Sequence, residues 1–171
     1  AAQKHNVSAE DAGQFTTESC VKASKAISQG KFDEEVMPVD VPRAGDGSTL
    51  FCTAEITAMN DTKFGQVDFS RMAVGAAALV FMSAEKAKML KLEPMAKVIV
   101  WGTAELRPDY AVMAPCWAIP NVLNQAGLRQ ADIDLYEIDE VFSASTVAIM
   151  RKLGIDSLRT NVRGGSLALG Y

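Results

Sequence analysis

Two acidic residues occupy the place in this sequence that best suits side-chain chemistry. Asp139 and Glu140 stand between a β-type run, 132–138, and a long run of small and apolar residues, 140–154, that predicts a buried helix. Open α/β sheets usually hold their ligands where a strand ends and a helix begins. A polar group there lies beside a helix N-terminus, whose dipole favours an anion or a developing oxyanion. The alternative interpretation makes Asp139 a helix N-cap and Glu140 a first-turn acid.

A glycine-rich segment, NVRGGSLALGY at 161–171, is the second candidate. Gly164 and Gly165 could bring backbone N–H groups close to a substrate oxygen, as an oxyanion hole requires. The alternative is a turn that joins two elements. The spacing matches neither the G-x-G-x-x-G of dinucleotide-binding proteins nor a phosphate loop that ends in Lys-Ser/Thr.

The three cysteines are candidate nucleophiles, but a nucleophilic thiol needs a nearby base or a helix N-terminus to lower its pKa. Cys20 lies within a predicted helix, Cys52 lies in a segment without a clear pattern, and Cys116 stands between Pro115 and Trp117. A free cysteine is most often a small buried hydrophobe. All three are therefore expected to be structural.

Composition excludes several classes of partner. The net charge of −4 gives no basis for binding nucleic acid, and no apolar run is long enough to span a membrane. An odd number of cysteines without a C-x-x-C motif argues against disulfides and structural zinc, so no metal is expected and an intracellular location fits best. The single histidine, His5, is expected to be solvated.

The first third of the chain predicts a capped helix followed by a strand. Ser8, followed three residues later by Asp11, resembles a capping box, and apolar residues recur at helical spacing up to Gly30. The alternating segment 34–42 predicts an edge strand, and 43–51 predicts a loop.

The remainder alternates strands and helices, which indicates an α/β fold. Apolar or β-branched runs predict strands at 73–83, 96–106 and 132–138, the first two of them buried. Helices are predicted at 84–93, 117–128 and 140–154.

Taken in order, these segments resemble the thiolase family, the acetyl-CoA acetyltransferases and 3-ketoacyl-CoA thiolases. GKFDEEVMPV resembles the family's G-x-F-D-x-E-I-x-P-V signature, and GAAALVFMS resembles its G-A-A-A-L-V-L-M-S run. APCWAIPNVLNQAGL and DEVF are similar to the family's G-P-x-P-A-I segment and N-E-A-F motif. The last segment, NVRGGSLALGY, resembles N-x-x-G-G-A-I-A-L-G-H-P. The matches are collinear over nearly the whole chain, which makes them more specific together than any one alone.

The resemblance implies an α/β fold of two similar halves packed as layers αβαβα, with a loop domain that holds coenzyme A. It implies a partial fold in this chain. Residues 1–72 are expected to resemble the loop domain, 73–94 the last strand and helix of the N-terminal half, and 95–171 an incomplete C-terminal half. The nucleophile's segment is expected before residue 1, and a second cysteine, in a C-x-G motif, after residue 171.

The family chemistry implied by the resemblance is an acyl transfer in two steps, through one acylated cysteine and a second cysteine that acts as base. The His of G-H-P and a water held by the Asn of N-E-A-F stabilise the thioester oxyanion. The catalytic positions then fall on Asp139 and Tyr171, which replace that Asn and His, and on Gly164 and Gly165. A phenol can donate a hydrogen bond, but its reference pKa near 10 prevents it from replacing imidazole in proton transfer. A carboxylate at position 139 can accept from a water, but its charge opposes an oxyanion unless it is protonated.

Coenzyme A or an acyl-CoA enters this hypothesis as a substrate, with no permanently bound cofactor. Ser70, in DFSRMAVGA, matches a family serine that approaches the CoA pantetheine, although the neighbouring glycines and Asn-Asp pair are replaced. Arg43 could match a loop-domain arginine near the nucleotide, and the alternative is a solvated loop charge. The resemblance also implies a homo-oligomer, a dimer or a tetramer.

Three hypotheses about function follow. The first is a thiolase-type acyltransferase whose nucleophile segment this chain lacks, so that the chain alone is expected to be inactive. The second is a non-catalytic thiolase-like protein that binds CoA thioesters or a protein partner, as the replacements at Asp139 and Tyr171 favour. The third is a relative from the ketoacyl-synthase branch of the fold, which needs a cysteine with two histidines.

Overall fold

The computed structural model describes residues 3–42, 45, 47–51 and 69–171, and within these ranges it contains helices and one small sheet. The α-helices are α1 (Ala9–Ser28), α2 (Ala84–Met89), α3 (Pro115–Ala126), α4 (Ser143–Leu153) and α5 (Ser166–Leu169). The strands are β1 (Val39–Pro42) and β2 (Ser48–Phe51). Short 3-10 turns lie at Gln3–His5, Pro108–Met113, Gln130–Asp132 and Ser157–Arg159.

The capped first helix is confirmed. The Ser8 hydroxyl oxygen accepts from the Asp11 backbone N–H at 3.0 Å, and the Asp11 carboxylate accepts from the Ser8 N–H at 2.9 Å. These two bonds satisfy N–H groups that a helix N-terminus otherwise leaves without partners. The helix ends just before Gly30, which has a φ of +66°. Its apolar face, including Phe15 and Ala23, is buried.

An ion pair joins this helix start to α4 and makes the stability pH-dependent. The Arg151 guanidinium and the Ser8 N–H hold the pKa of Asp11 below its usual value of 3.8. Because the folded-state pKa is depressed, the stabilisation is present above the unfolded-state value and is lost as pH falls through the folded-state value. We expect Asp11→Asn to lower the melting temperature at about pH 7, with a difference that shrinks below about pH 4. Thermal scans over this range, with exposed Asp134→Asn as control, measure it, and equal melting temperatures at neutral pH would contradict it.

Helix α4 lies at the centre of the core. It is buried on nearly every side, as predicted, because it consists largely of small and β-branched residues and packs against α1 on one side and α3 on another. Gly154, with a φ of +65°, ends it. The buried side chains around it include Phe15, Met113, Tyr136, Ile138, Ile149, Ile155 and Leu167.

The two predicted buried strands are not observed. Neither 73–83 nor 96–106 contains a strand or lies buried; Val80 is 85% exposed and Ile99 64% exposed. An apolar run forms a buried strand only where neighbouring strands and a second layer cover it. Among the described residues no strand pairs with these runs and most of their side chains are exposed, so the sequence pattern alone overestimated their burial.

The remaining strand predictions are partly correct. The predicted strand at 34–42 is reduced to β1, since 30–35 turns back on itself through a bond from the Glu35 N–H to the Phe32 carbonyl. β1 pairs antiparallel with β2, which lies inside the predicted loop 43–51. The predicted strand 132–138 contributes only one parallel bridge, between Tyr136 and Thr160.

The predicted helices are confirmed with small shifts of their ends. α2 ends at Met89 rather than at 93, and α3 begins at Pro115, two residues before the predicted start, and ends before Gly127. No helix in the described part of the chain is long and apolar enough to cross a bilayer. The division at 72 and 94 stays a prediction, although α1 shares its core with α4 and α5.

Candidate active site

A wholly buried carboxylate organises the region around the two acidic residues. Glu140 has no exposed surface, and its Oε2 accepts from the Ser19 hydroxyl on α1 at 2.7 Å. The same oxygen accepts from the Leu167 N–H at 3.2 Å, and Oε1 accepts from the Asn161 side-chain amide at 2.7 Å. A buried carboxylate is tolerated only when such donors replace its lost hydration. Glu140 therefore joins α1, the glycine-rich segment and the start of α4.

Asn161 fixes the segment that leads to the acidic pair. Its side-chain oxygen accepts from the Ile138 N–H and its amide nitrogen donates to the Ile138 carbonyl, both at 2.8 Å. Its backbone N–H donates to the Tyr136 carbonyl at 2.8 Å, and its φ of +46° is one that asparagine tolerates better than most residues. Both ends of this amide are occupied, so its orientation is fixed.

Asp139 lies on the surface beside this buried frame. Its side chain is exposed, and its Oδ1 accepts from the Ser166 hydroxyl at 2.9 Å. The N-cap interpretation was wrong, because α4 begins at Ser143 with Phe142 as the N-cap residue. Glu140 is accordingly not a first-turn acid. Of the two neighbours, Asp139 is exposed and Glu140 is buried.

The two adjacent glycines use their amides inside the protein. The Gly164 N–H donates to the Asn161 carbonyl at 2.9 Å, and the Gly165 N–H donates to the Ser19 hydroxyl oxygen at 3.0 Å. A substrate oxygen could use either amide only if these bonds were broken. Close packing explains the residue type. A Cβ on Gly164 would lie 2.7 Å from the Ser19 carbonyl oxygen, and a Cβ on Gly165 would overlap the Glu140 carboxylate.

Gly164→Ala is expected to destabilise the protein through both backbone conformation and crowding. Gly164 has a φ of +78°, and its Cβ would lie 2.6 Å from the Ala23 Cβ. Gly154 has a φ of +65°, and a Cβ there would meet no atom within 4 Å. Gly154→Ala therefore measures the cost of the backbone conformation alone, a loss of about 1 kcal/mol in the free energy of unfolding. We expect Gly164→Ala to lower the free energy of unfolding by about 2 kcal/mol or slightly more, because overpacking adds at least about 1 kcal/mol to the conformational cost. Urea midpoints of the two variants test this, and equal midpoints would show that the close approach carries no energy.

Ser70 and Tyr171 are brought to the same side of the molecule. The Ser70 N–H donates to the Val141 carbonyl at 3.1 Å, directly after the acidic pair. The Tyr171 N–H donates to the Arg71 carbonyl at 2.7 Å, and its carbonyl accepts from the Ala73 N–H at 3.0 Å. The segment 69–73 therefore connects the start of α4 to the end of the glycine-rich segment. The Tyr171 side chain is 70% exposed.

The sequence comparisons agree with this arrangement of segments. Residues 92–171 match the family described as thiolase, C-terminal domain. An acetyl-CoA acetyltransferase of Schizosaccharomyces pombe is 34% identical over an alignment of 185 positions that covers 99% of this chain and 47% of the relative. A 3-ketoacyl-CoA thiolase of Bacillus subtilis is 34% identical over an alignment of 193 positions that covers 99% of this chain and 49% of the relative. Residues 92–171 thus carry a thiolase C-terminal domain, and the whole chain is similar in sequence to about half of a thiolase.

Solved thiolase structures share the fold. The chain aligns with the acetyl-CoA acetyltransferase of Bacillus anthracis with a TM-score of 0.85 and 26% identity, over 99% of this chain and 47% of that one. It aligns with human mitochondrial 3-ketoacyl-CoA thiolase with a TM-score of 0.81 and 26% identity, over 99% and 46%. The fold is therefore a partial thiolase fold, as the resemblance implied. The chain spans about half the length of the curated relatives that it matches.

The two cysteines in the described part of the chain lack the exposure and the lowered pKa that a nucleophilic thiol needs. Cys20 is 1% exposed and Cys116 7% exposed, and burial raises the pKa of both thiols. The Glu140 charge raises the pKa of Cys20 further, whereas Lys152 partly offsets the effect at Cys116. Both are buried, as expected of small apolar side chains, and their structural role stays a prediction. The predictions for Arg43 and Cys52 lie outside the described residues.

Within the described ranges no cluster of three or more His, Cys, Asp or Glu side chains could hold a metal ion.

A third carboxyl group lies close to the acidic pair. Partial burial is the main cause that raises the pKa of Glu137, and the charge of the nearby Glu140 raises it further. Arg163 and Lys22 oppose this rise. Three carboxyl groups, those of Glu137, Asp139 and Glu140, lie on one short segment, 137–140.

Sequence reasoning missed three polar residues of the candidate site. Ser19, Asn161 and Ser166 hold the acidic pair, yet none was singled out. The available signal was Ser19, a hydroxyl on the apolar face of a helix, since a buried hydroxyl needs a partner. The partners themselves are 121 and 146 positions away in the sequence, beyond the reach of any local pattern.

Proposed function

We propose that this protein is a thiolase-type acyltransferase, an acetyl-CoA acetyltransferase or a 3-ketoacyl-CoA thiolase. It transfers an acyl group between an enzyme cysteine and coenzyme A. The segments 69–73, 139–142 and 164–171 form the side of the active site that faces the thioester oxygen, with Asp139 and Tyr171 at the two reacting positions.

One observation carries the proposal. The segments with family motifs, far apart in the sequence, are joined by hydrogen bonds: Ser70 to Val141, Tyr171 to Arg71, and Ser166 to Asp139. Thioester chemistry develops negative charge on the carbonyl oxygen, and a fixed frame of polar groups is what stabilises such charge at low reorganisation cost. The buried Glu140 network supplies that rigidity.

The acyl-accepting cysteine has to come from elsewhere. A thiol that attacks a thioester needs access and a lowered pKa, and both Cys20 and Cys116 are buried with raised pKa values. The nucleophile segment is therefore proposed to lie outside the described residues. Coenzyme A or an acyl-CoA is a substrate rather than a bound cofactor, with Ser70 and Arg43 proposed on its path. A homo-oligomer, a dimer or a tetramer, and an intracellular location complete the proposal.

A non-catalytic thiolase-like protein that binds CoA thioesters or a protein partner is the second candidate. The observation in its favour is the exposed carboxylate of Asp139, whose Oδ1 is held by Ser166 at 2.9 Å. A charge at this position opposes an oxyanion, and the Tyr171 phenol cannot exchange protons as imidazole does.

Thiolysis of acetoacetyl-CoA separates the two candidates. The protein expressed from its complete reading frame is expected to cleave acetoacetyl-CoA in the presence of coenzyme A, whereas residues 1–171 alone are expected to stay at the buffer rate. Saturable binding of acetoacetyl-CoA by the complete protein without cleavage would favour the binding protein. If the complete protein neither binds nor cleaves acetoacetyl-CoA, the acyltransferase proposal is overturned.

A further inference from the structure

The hydroxyl of Ser166 has both of its hydrogen-bonding capacities occupied within the site. Its oxygen accepts from the Glu140 N–H at 3.1 Å, and its proton is donated to Asp139 Oδ1 at 2.9 Å. A serine hydroxyl has one proton, so the donated bond has a single direction. Ser166 therefore distinguishes the two oxygens of the Asp139 carboxylate.

The frame on both sides of this contact is fixed. The neighbours of Ser166 are held by bonds from the Gly165 N–H to Ser19 and from the Leu167 N–H to Glu140. The neighbours of Asp139 are Ile138, which is 8% exposed, and the wholly buried Glu140. Donor and acceptor thus both stand on backbone that cannot easily shift.

The second oxygen of Asp139 is left outward. Asp139 is exposed, and among the described residues its Oδ2 has no hydrogen-bond partner. Free rotation about χ2 normally exchanges the two oxygens of an exposed carboxylate. A fixed donor at 2.9 Å opposes this exchange and keeps one atom of the side chain inward and the other outward.

We propose that Ser166 is a positioning residue that fixes the side chain at position 139 and sets which of its two terminal atoms faces the substrate. With aspartate, the outward atom is an oxygen, so the site accepts a hydrogen bond from a water, from an N–H group of an acyl-CoA or from the S–H group of free coenzyme A. With an amide, the Ser166 proton takes the amide oxygen, and the NH₂ group faces outward as a donor. The role in acyl transfer rests on the proposed function, whereas the positioning itself does not.

The amide at position 139 gives a direct test. In ¹⁵N relaxation of the Asp139→Asn chain, its side-chain NH₂ group is expected to be rigid, with an order parameter of roughly 0.8. When Asp139→Asn is combined with Ser166→Ala, the order parameter of this NH₂ group is expected to fall below roughly 0.6. When it is combined with Ser166→Thr, which keeps the hydroxyl, the NH₂ group is expected to stay rigid. A surface amide, Asn121, serves as the mobile reference in every spectrum.

The outcomes separate positioning from stability and from catalysis. If the NH₂ group is mobile in Asp139→Asn, or equally rigid after Ser166→Ala, the inference is overturned. If Asp139→Asn combined with Ser166→Ala does not fold, two variants remain for the test: Asp139→Asn alone and Asp139→Asn combined with Ser166→Thr. A mobile NH₂ group in either of them overturns the inference. An inactive complete protein with the expected relaxation pattern would end the proposed function and leave the positioning role standing.

Discussion

Glu140→Ala is expected to lower the free energy of unfolding by about 3–5 kcal/mol, because it leaves several buried donors without an acceptor. The substitution removes the acceptor of three donors: the Ser19 hydroxyl, the Asn161 amide and the Leu167 N–H. Each of these residues is at most 2% exposed, so water cannot readily replace the carboxylate. A buried donor left without a partner costs about 1–3 kcal/mol.

Glu140→Gln refines this expectation. The amide oxygen can replace Oε2, which accepts from Ser19 and Leu167. The NH₂ group then meets the amide nitrogen of Asn161, and both groups are donors. Asn161 cannot turn to offer its oxygen, because that oxygen already accepts from Ile138. One lost bond and one clash between donors predict a smaller loss, about 1–3 kcal/mol.

Urea unfolding followed by circular dichroism measures both losses, with the m-value as a check that the unfolded state is unchanged. Glu105→Ala, at an exposed glutamate, is the control and should stay within about 0.5 kcal/mol of the parent. Ser19→Ala, which removes one donor to the carboxylate, provides a milder variant should Glu140→Ala be insoluble. A parent-like midpoint for both Glu140→Ala and Ser19→Ala would contradict the role of the network.

The parts of the fold that local chemistry determines were predictable. Ser8 and Asp11 form a capping box whose spacing is visible in the sequence, and Gly127 and Gly154 end their helices with positive φ. The small residues of α4 predicted its burial because no polar face is available to meet water. Each of these features depends on residues within one or two helical turns.

The parts that depend on distant partners were not predictable. The run at 73–83 reads as a buried strand, yet its burial requires pairing that the described residues do not supply. Glu140 reads as a first-turn acid, yet its surroundings come from Ser19 and Asn161, which lie 121 and 21 positions away. The family motif drew attention to both acids, but which of the two is buried depends on tertiary contacts.

Asp139→Asn combined with Tyr171→His is expected to raise kcat for acetoacetyl-CoA thiolysis roughly 10²-fold in the protein expressed from its complete reading frame. The reason is electrostatic. A carboxylate opposes negative charge on the thioester oxygen, whereas an amide held by Ser166 presents its NH₂ group as a donor. One donor to an oxyanion is worth about 10²–10³ in kcat.

The backbone at position 171 is held by two hydrogen bonds, which a substitution of the Tyr171 side chain leaves in place. The Tyr171 N–H and carbonyl are bound to Arg71 and Ala73 at 2.7 and 3.0 Å, so an imidazole there starts from the same fixed Cα. Imidazole both donates and exchanges a proton near neutral pH, which a phenol does not. We expect each single variant to gain roughly 10-fold, so that independent gains at the two positions multiply to the roughly 10²-fold gain of the double variant.

Initial rates at saturating acetoacetyl-CoA and coenzyme A measure the gain. Asp134→Asn, which removes another exposed carboxylate, is the matched control and should leave the rate unchanged. Urea midpoints close to that of the parent establish that the comparison concerns the site rather than the fold. A double variant that is no faster than the parent would show that these two positions do not face the thioester oxygen. The binding-protein hypothesis would then explain the exposed carboxylate better, because a protein that only binds a CoA thioester has no oxyanion to stabilise.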